Sequence, residues 1–165
     1  TVSGEEKGLL GSEFYTNHPV YPLENTVTNL NIDMVGRVGT NYQNSPDSAN
    51  YVYIIGSDKL SSELHAISEK ANEDFTNMVL DYKYNDDKDP NRFYYRSDHY
   101  NFAKNGIPII FYFNGTHPDY HQPTDTEEKI NYDKMLQTTK LVWHTAWVIA
   151  NRTERPVVDK AESGQ

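Results

Sequence analysis

Apolar residues recur along this chain at two spacings, and the changes between them divide it into elements. TVTNLNIDMV at 26–35 sets Val27, Leu30, Ile32 and Met34 among polar residues and predicts a strand. YVYIIG at 51–56, Met78–Tyr82 and IPIIFYF at 107–113 are short apolar runs that predict three more. Helical spacing appears at 6–17, with Leu9, Leu10, Glu13 and Phe14 on one expected buried face, until Pro19 and Pro22 of HPVYP stop it. SSELHAISEKAN at 61–72 predicts a helix with a capping-box start at Ser61 and an inner face of Leu64, Ile67 and Ala71. SDHYNFAKNG at 97–106 predicts another, with Asp98 near its start and Gly106 as its stop. Residues 130–152 predict a long amphipathic helix carrying Leu136, Leu141, Trp143 and Trp147. Thr1–Ser3 read as the end of a strand cut off by the chain start, and 36–50, 81–92 and 114–126 as loops. The polar stretch 153–165 is expected to fray as a tail.

Strands alternating with helices imply an α/β fold, a three-layer α/β/α sandwich around a mainly parallel mixed sheet. The 165 residues suffice for one domain with a real core, assigned to 1–152. Ligand sites in such sheets form at the carboxyl ends of strands. Three spots with acids or histidines fall there: Glu5 and Glu6, Asp33, and the His117–His121 loop.

Composition narrows the partners. A formal net charge of −9 without a basic stripe argues against nucleic acid and anionic membranes. The longest apolar run, 107–113, falls far short of the ~20 residues that span a bilayer, so no membrane insertion is expected. No cysteine is present, which excludes disulfides and thiolate metal sites. The acid-rich stretch Asn85–Asp89 lacks the glycine and final glutamate of a calcium loop and reads as a solvated turn. Asn114-Gly-Thr and Asn151-Arg-Thr are glycosylation sequons.

Zinc takes His, Asp and Glu ligands, and Glu6, Asp33 and His121 supply one of each type. Adjacent residues leaving a strand point in different directions, so Glu5 and Glu6 can split roles, one as ligand and one as general base. From spacing alone the pair is more simply explained by the helix dipole, which favours acids in a first turn. Asp33, between Ile32 and Met34, is costly unless paired or metal-bound. His18, His65, His99, His117 and His144 read as structural.

The set GEEKGLLGSEFY, LNIDMVGR, RSDHYNFAKNGIPIIF and DYHQPTDT, in this order from Thr1 to about Arg152, resembles the co-catalytic di-zinc aminopeptidases (peptidase family M28). The resemblance implies removal of N-terminal residues from a peptide substrate through a hydroxide bridged by two zincs. It implies Glu5 as general base, Glu6 and His121 as ligands of one zinc, and Asp33 as a ligand of the second. It implies Tyr120 as an oxyanion stabiliser. Asp98 falls at a supporting or pocket position, and Arg96 at one that touches substrate. Asp125 is expected to order the His121 loop by bonding an imidazole N–H. The family's upstream histidine and bridging aspartate have no counterpart in these residues. The chain therefore reads as the C-terminal portion of a catalytic domain, inactive and weakly zinc-binding by itself, with an exposed sheet edge prone to self-association. The sequence opens at Thr1 with no Met, so a natural N-terminus upstream is expected, and the resemblance implies an extracytoplasmic location. Glutaminyl cyclase-type acyl transfer and a non-catalytic peptidase-like binding module stand as alternatives.

Overall fold

The computed structural model describes residues 2–160 and holds a four-stranded sheet: β1 (Asn29–Ile32), β2 (Tyr51–Ile55), β3 (Val79–Asp81) and β4 (Ile109–Phe113). The order across the sheet is β1-β4-β2-β3. β1 runs parallel to β4, with Asn29 opposite Ile109. β2 runs parallel to β3, and β2 and β4 meet antiparallel with Tyr53 opposite Phe113. The sheet is therefore mixed, with two of its three pairings parallel.

β2 and β4 are apolar throughout because they are central, and every residue of both is buried. Their side chains alternate between two cores, as the pleat requires. Val52, Ile54, Ile110 and Tyr112 face Leu64 of α2 (Ser62–Phe75) and Leu141 and Val142 of α4 (Tyr132–Ala150). Tyr51, Tyr53, Ile55, Phe111 and Phe113 face the other way, toward Tyr84, Phe93 and Phe102. Phe102 lies on α3 (His99–Ala103), which packs against α1 (Leu10–Asn17). Helices thus cover both faces of the sheet, giving the three layers expected. β1 is an edge strand, shorter than the run 26–35, and its Ile32 is 47 % exposed.

Several expectations are corrected. Val2 and Ser3 form no strand, and Thr1 lies outside the described residues. The segment 6–17 is two pieces, a 3-10 turn at Glu5–Lys7 and then α1, because Leu9 takes a left-handed backbone (φ 60°) between them. The break rotates the helix face: Ser12 and Thr16 are buried, while Leu10 and Phe14 are exposed. Burial of Ser12 is satisfied by Asn101 of α3, whose Nδ2 donates to Ser12 Oγ at 2.7 Å. Ser61 caps α2 by accepting from Leu64 N at 3.0 Å, but Leu64 cannot return the bond, so only half of a capping box forms.

On α4 the inner face is Lys134, Thr138, Leu141, Val142 and Thr145; Trp143 and Trp147 stack on each other on the outside. The stretch from 155 to 160 does not fray. Arg155 donates to Glu24 O, Val157 N to Glu63, and Asp159 accepts from Ser62 N at 2.9 Å at the start of α2. Asp89 is buried rather than solvated and accepts from Phe93 N at 3.2 Å.

Candidate active site

Because β1 and β4 are parallel neighbours, their carboxyl ends emerge side by side. Asp33 follows β1 directly; its N–H donates to Tyr112 O at 3.3 Å, and its carboxylate accepts from Ser97 Oγ at 2.7 Å. Asn114 follows β4 and is fully buried, so its sequon is closed in the folded state. Its Oδ1 accepts from Gly36 N at 3.0 Å, and Thr40 N donates to Thr116 O at 2.9 Å. Gly36 takes φ +98°, a backbone conformation that a residue with a Cβ rarely adopts. These bonds fasten the segment after β1 to the loop after β4.

That loop carries Tyr120 and His121, whose rings stack with centroids 3.9 Å apart. His121 has a positive φ of 57°, strained for a residue with a Cβ. Its Nε2 lies 3.2 Å from Glu6 Oε1, although the two are 115 positions apart in the chain. Glu5 and Glu6 sit in the 3-10 turn between two left-handed glycines, Gly4 and Gly8. Their side chains diverge because successive residues of that turn lie about 120° apart, not because a strand precedes them.

Glu5, Glu6, Asp33 and His121 line one cleft of about 440 Å³, joined by Arg96, Tyr120 and Asp125. Partial burial raises the Glu5 carboxyl above its ordinary value, and the charges of Asp33, Glu6 and Asp98 add to the rise, while His121 opposes it.

Seven of the eight residues singled out in the sequence thus share the cleft. Asp98 instead lines a groove beside β1, with its Oδ1 buried and without a hydrogen-bond partner. Arg96 lays its guanidinium over the Phe93 ring at 5.1 Å. The expectation for Asp125 is corrected: it pairs with Arg37, and the imidazole it faces, at 3.7 Å, is His117 rather than His121.

The structure also brings together a trio that spacing did not reveal. Among the described residues, donor atoms of His117, Asp119 and Asp125 all lie within 4.8 Å of one another, a geometry open to a metal. Two cations already occupy its surroundings. Arg37 Nη2 donates to Asp119 Oδ2 at 2.6 Å and Nη1 to Asp125, and Lys129 Nζ donates to Asp119 Oδ1 at 2.7 Å. Bonds from Lys129, Arg37 and Thr124 hold the Asp119 carboxyl well below the usual carboxylate range. Burial, reinforced by the Arg37 charge, pulls the His117 imidazole down. Arg37 and Asp119 were passed over in sequence because an ion pair 82 positions apart leaves no local periodicity.

Residues 1–146 match peptidase family M28, and the chain belongs to that family. A probable leucine aminopeptidase of Arthroderma otae is 31% identical over 153 residues, covering 90% of this chain and 37% of its own length. The LapA aminopeptidase of Legionella pneumophila superposes with a TM-score of 0.72 at 21% identity, over 93% of this chain and 38% of that one. BSAP, a zinc aminopeptidase from Bacillus subtilis, gives 0.67 at 24% identity, over 97% of this chain and 38% of that one. The last two show the fold. The chain spans well under half the length of each of these relatives.

Proposed function

We propose that the cleft is part of the active site of a metallo-aminopeptidase that removes N-terminal residues from peptides. The observation that carries this is the meeting of Glu6 and His121 at 3.2 Å, beside Glu5 and Asp33, at one edge of the sheet in a member of family M28. The donor set suits zinc in type, and the gathering of the Glu5, Glu6 and Asp33 carboxylates in one cleft suits a divalent cation. Glu6 and His121 would hold one ion and Asp33 a second. Bound zinc would polarise the scissile carbonyl and lower the pKa of water.

The chain's own groups do the rest. Glu5 accepts the proton of the attacking water and returns it to the leaving amine. Tyr120 donates its phenol to the oxyanion that forms on the carbonyl. Three ligands shared between two ions are too few for tight sites, which take three or four each. With these ligands alone, the 165 residues by themselves are expected to be inactive. Grooves of about 620 and 580 Å³ on either side of β1 leave that edge open to further strands or to a second copy. The proposal also places the protein outside the cytoplasm, which cell fractionation tests.

In the full-length protein, Glu5→Gln is expected to lower kcat on leucyl-p-nitroanilide by about 10²–10⁴-fold with KM little changed. A variant with wild-type kcat would overturn the reading.

A further inference from the structure

We propose that Arg37 is a positioning residue for His121: its guanidinium is the resident cation of the His117–Asp119–Asp125 cluster and clamps the loop that carries His121 and Tyr120. The inference rests on the reading of His121 as a metal ligand.

Arg37 stands four residues after Asp33, on a segment that is itself immobilised. Gly36 N donates to Asn114 Oδ1, and Gly36 O accepts from Asn131 N at 2.7 Å, so the stem of Arg37 springs from a pinned backbone. Its two terminal nitrogens divide between Asp119 and Asp125. These carboxylates bracket His121, two residues before it and four after. A single planar guanidinium therefore closes the loop on both sides of the ligand and ties it to the loop bearing Asp33.

The loop needs such a tie. His121 holds a left-handed backbone at φ 57°, a conformation that persists in a residue with a Cβ only when its surroundings over-determine it. Its own side chain is largely exposed and contributes little packing, and its contacts are Glu6 and the stacked Tyr120. Tyr120 N donates to His117 O, Gln122 N to Asp119 O, and Asp125 N to Gln122 O, so the strain is distributed through turns whose ends are the clamped acids. Thr124 Oγ1 donates to Asp119 Oδ1 at 2.7 Å and closes the circuit.

The rival reading is a third metal ion in the cluster. Arg37 and Lys129 bring two positive charges against the two carboxylates, which leaves no charge for a divalent ion to neutralise. The ion would also have to displace a guanidinium that is only 17% exposed. Lysine could not replace Arg37 fully, because an ammonium is a point donor and cannot span two carboxylates in a fixed plane.

The test uses the full-length protein and its Arg37→Met, Arg37→Lys and His121→Ala variants. Zinc affinity is read by chelator competition, and exchange of the 117–126 amides by hydrogen–deuterium mass spectrometry. Arg37→Met is expected to weaken one zinc site by about 10–100-fold, as loss of an outer partner does, and to speed exchange in 117–126 while the strand amides stay protected. Arg37→Lys should fall between Arg37→Met and wild type in both readouts, and it covers the case in which Arg37→Met does not fold. Wild-type affinity and wild-type exchange in Arg37→Met, or in Arg37→Lys if only that variant folds, would overturn the clamp. His121→Ala separates the two layers. If it leaves zinc affinity unchanged, the metal role of His121 fails; if it weakens zinc and the Arg37 variants do not, the clamp alone fails.

Discussion

Lys134 is expected to make the stability of this domain rise between pH 7 and pH 9. The residue lies on the inner face of α4, 1% exposed, and no carboxylate pairs with it among the described residues. Its Nζ donates to Tyr51 O at 2.7 Å and sits 3.5 Å over the centre of the Tyr51 ring. Burial pulls its pKa down to about 7. In the unfolded chain an ordinary lysine titrates near 10.4. Between those values the unfolded state holds a proton that the folded state has lost, so unfolding becomes harder as pH rises. The slope approaches ~1.4 kcal/mol per pH unit, and integration from pH 7 to pH 9 gives about 2 kcal/mol. Lys134→Met keeps the length of the side chain and removes the titration. Urea unfolding of both proteins at pH 7, 8 and 9 isolates the effect, because all other groups cancel in the difference. Wild type minus variant is expected to grow by about 2 kcal/mol across the window. The window ends below pH 10 because burial raises the tyrosines, among them Tyr51 to about 12, and their ionisation in the unfolded chain then acts the other way. A flat difference would refute the reasoning: it would mean that the Tyr51 carbonyl and ring stabilise the ammonium as much as burial opposes it.

Three further outcomes follow from buried polar groups. His99 is fully buried, donates from Nε2 to Tyr94 O at 2.7 Å, and is pulled by burial to about pKa 3. Its unfolded form binds protons below about pH 6.5, so stability should fall as pH drops from there toward 3, and His99→Phe should flatten that fall in thermal melts. Asn114→Ala strands the buried Gly36 N–H and should cost about 1–3 kcal/mol in denaturant unfolding. Expressed in a eukaryotic secretory host, the protein should carry glycan at Asn151 and none at Asn114 by mass spectrometry, since Asn114 is enclosed.

Much of the fold was legible because β2 and β4 are unbroken apolar runs and α2 opens on a serine cap, signals that tertiary context reinforces. What failed did so where backbone geometry overruled periodicity. Leu9 takes a left-handed conformation that spacing cannot foresee, and the face of α1 turned with it. Trp143 and Trp147 are apolar yet stand outside, while Lys134 is charged yet stands inside, because α4 offers its polar face to a carbonyl and a ring beneath it. In the cleft, the grouping of Glu5, Glu6, Asp33 and His121 was readable only through the order of motifs along the chain, and the parallel pairing of β1 with β4 supplies its physical cause. The Arg37 clamp was not readable, since its partners are remote in sequence and each alone is an ordinary surface charge.

Anomalous diffraction at the zinc edge from crystals of the full-length protein tests the metal assignment most directly. Two peaks are expected, one bonded to Glu6 and His121 and one to Asp33, with none between His117, Asp119 and Asp125. Zinc in that trio, or no zinc at Glu6 and His121, would contradict it.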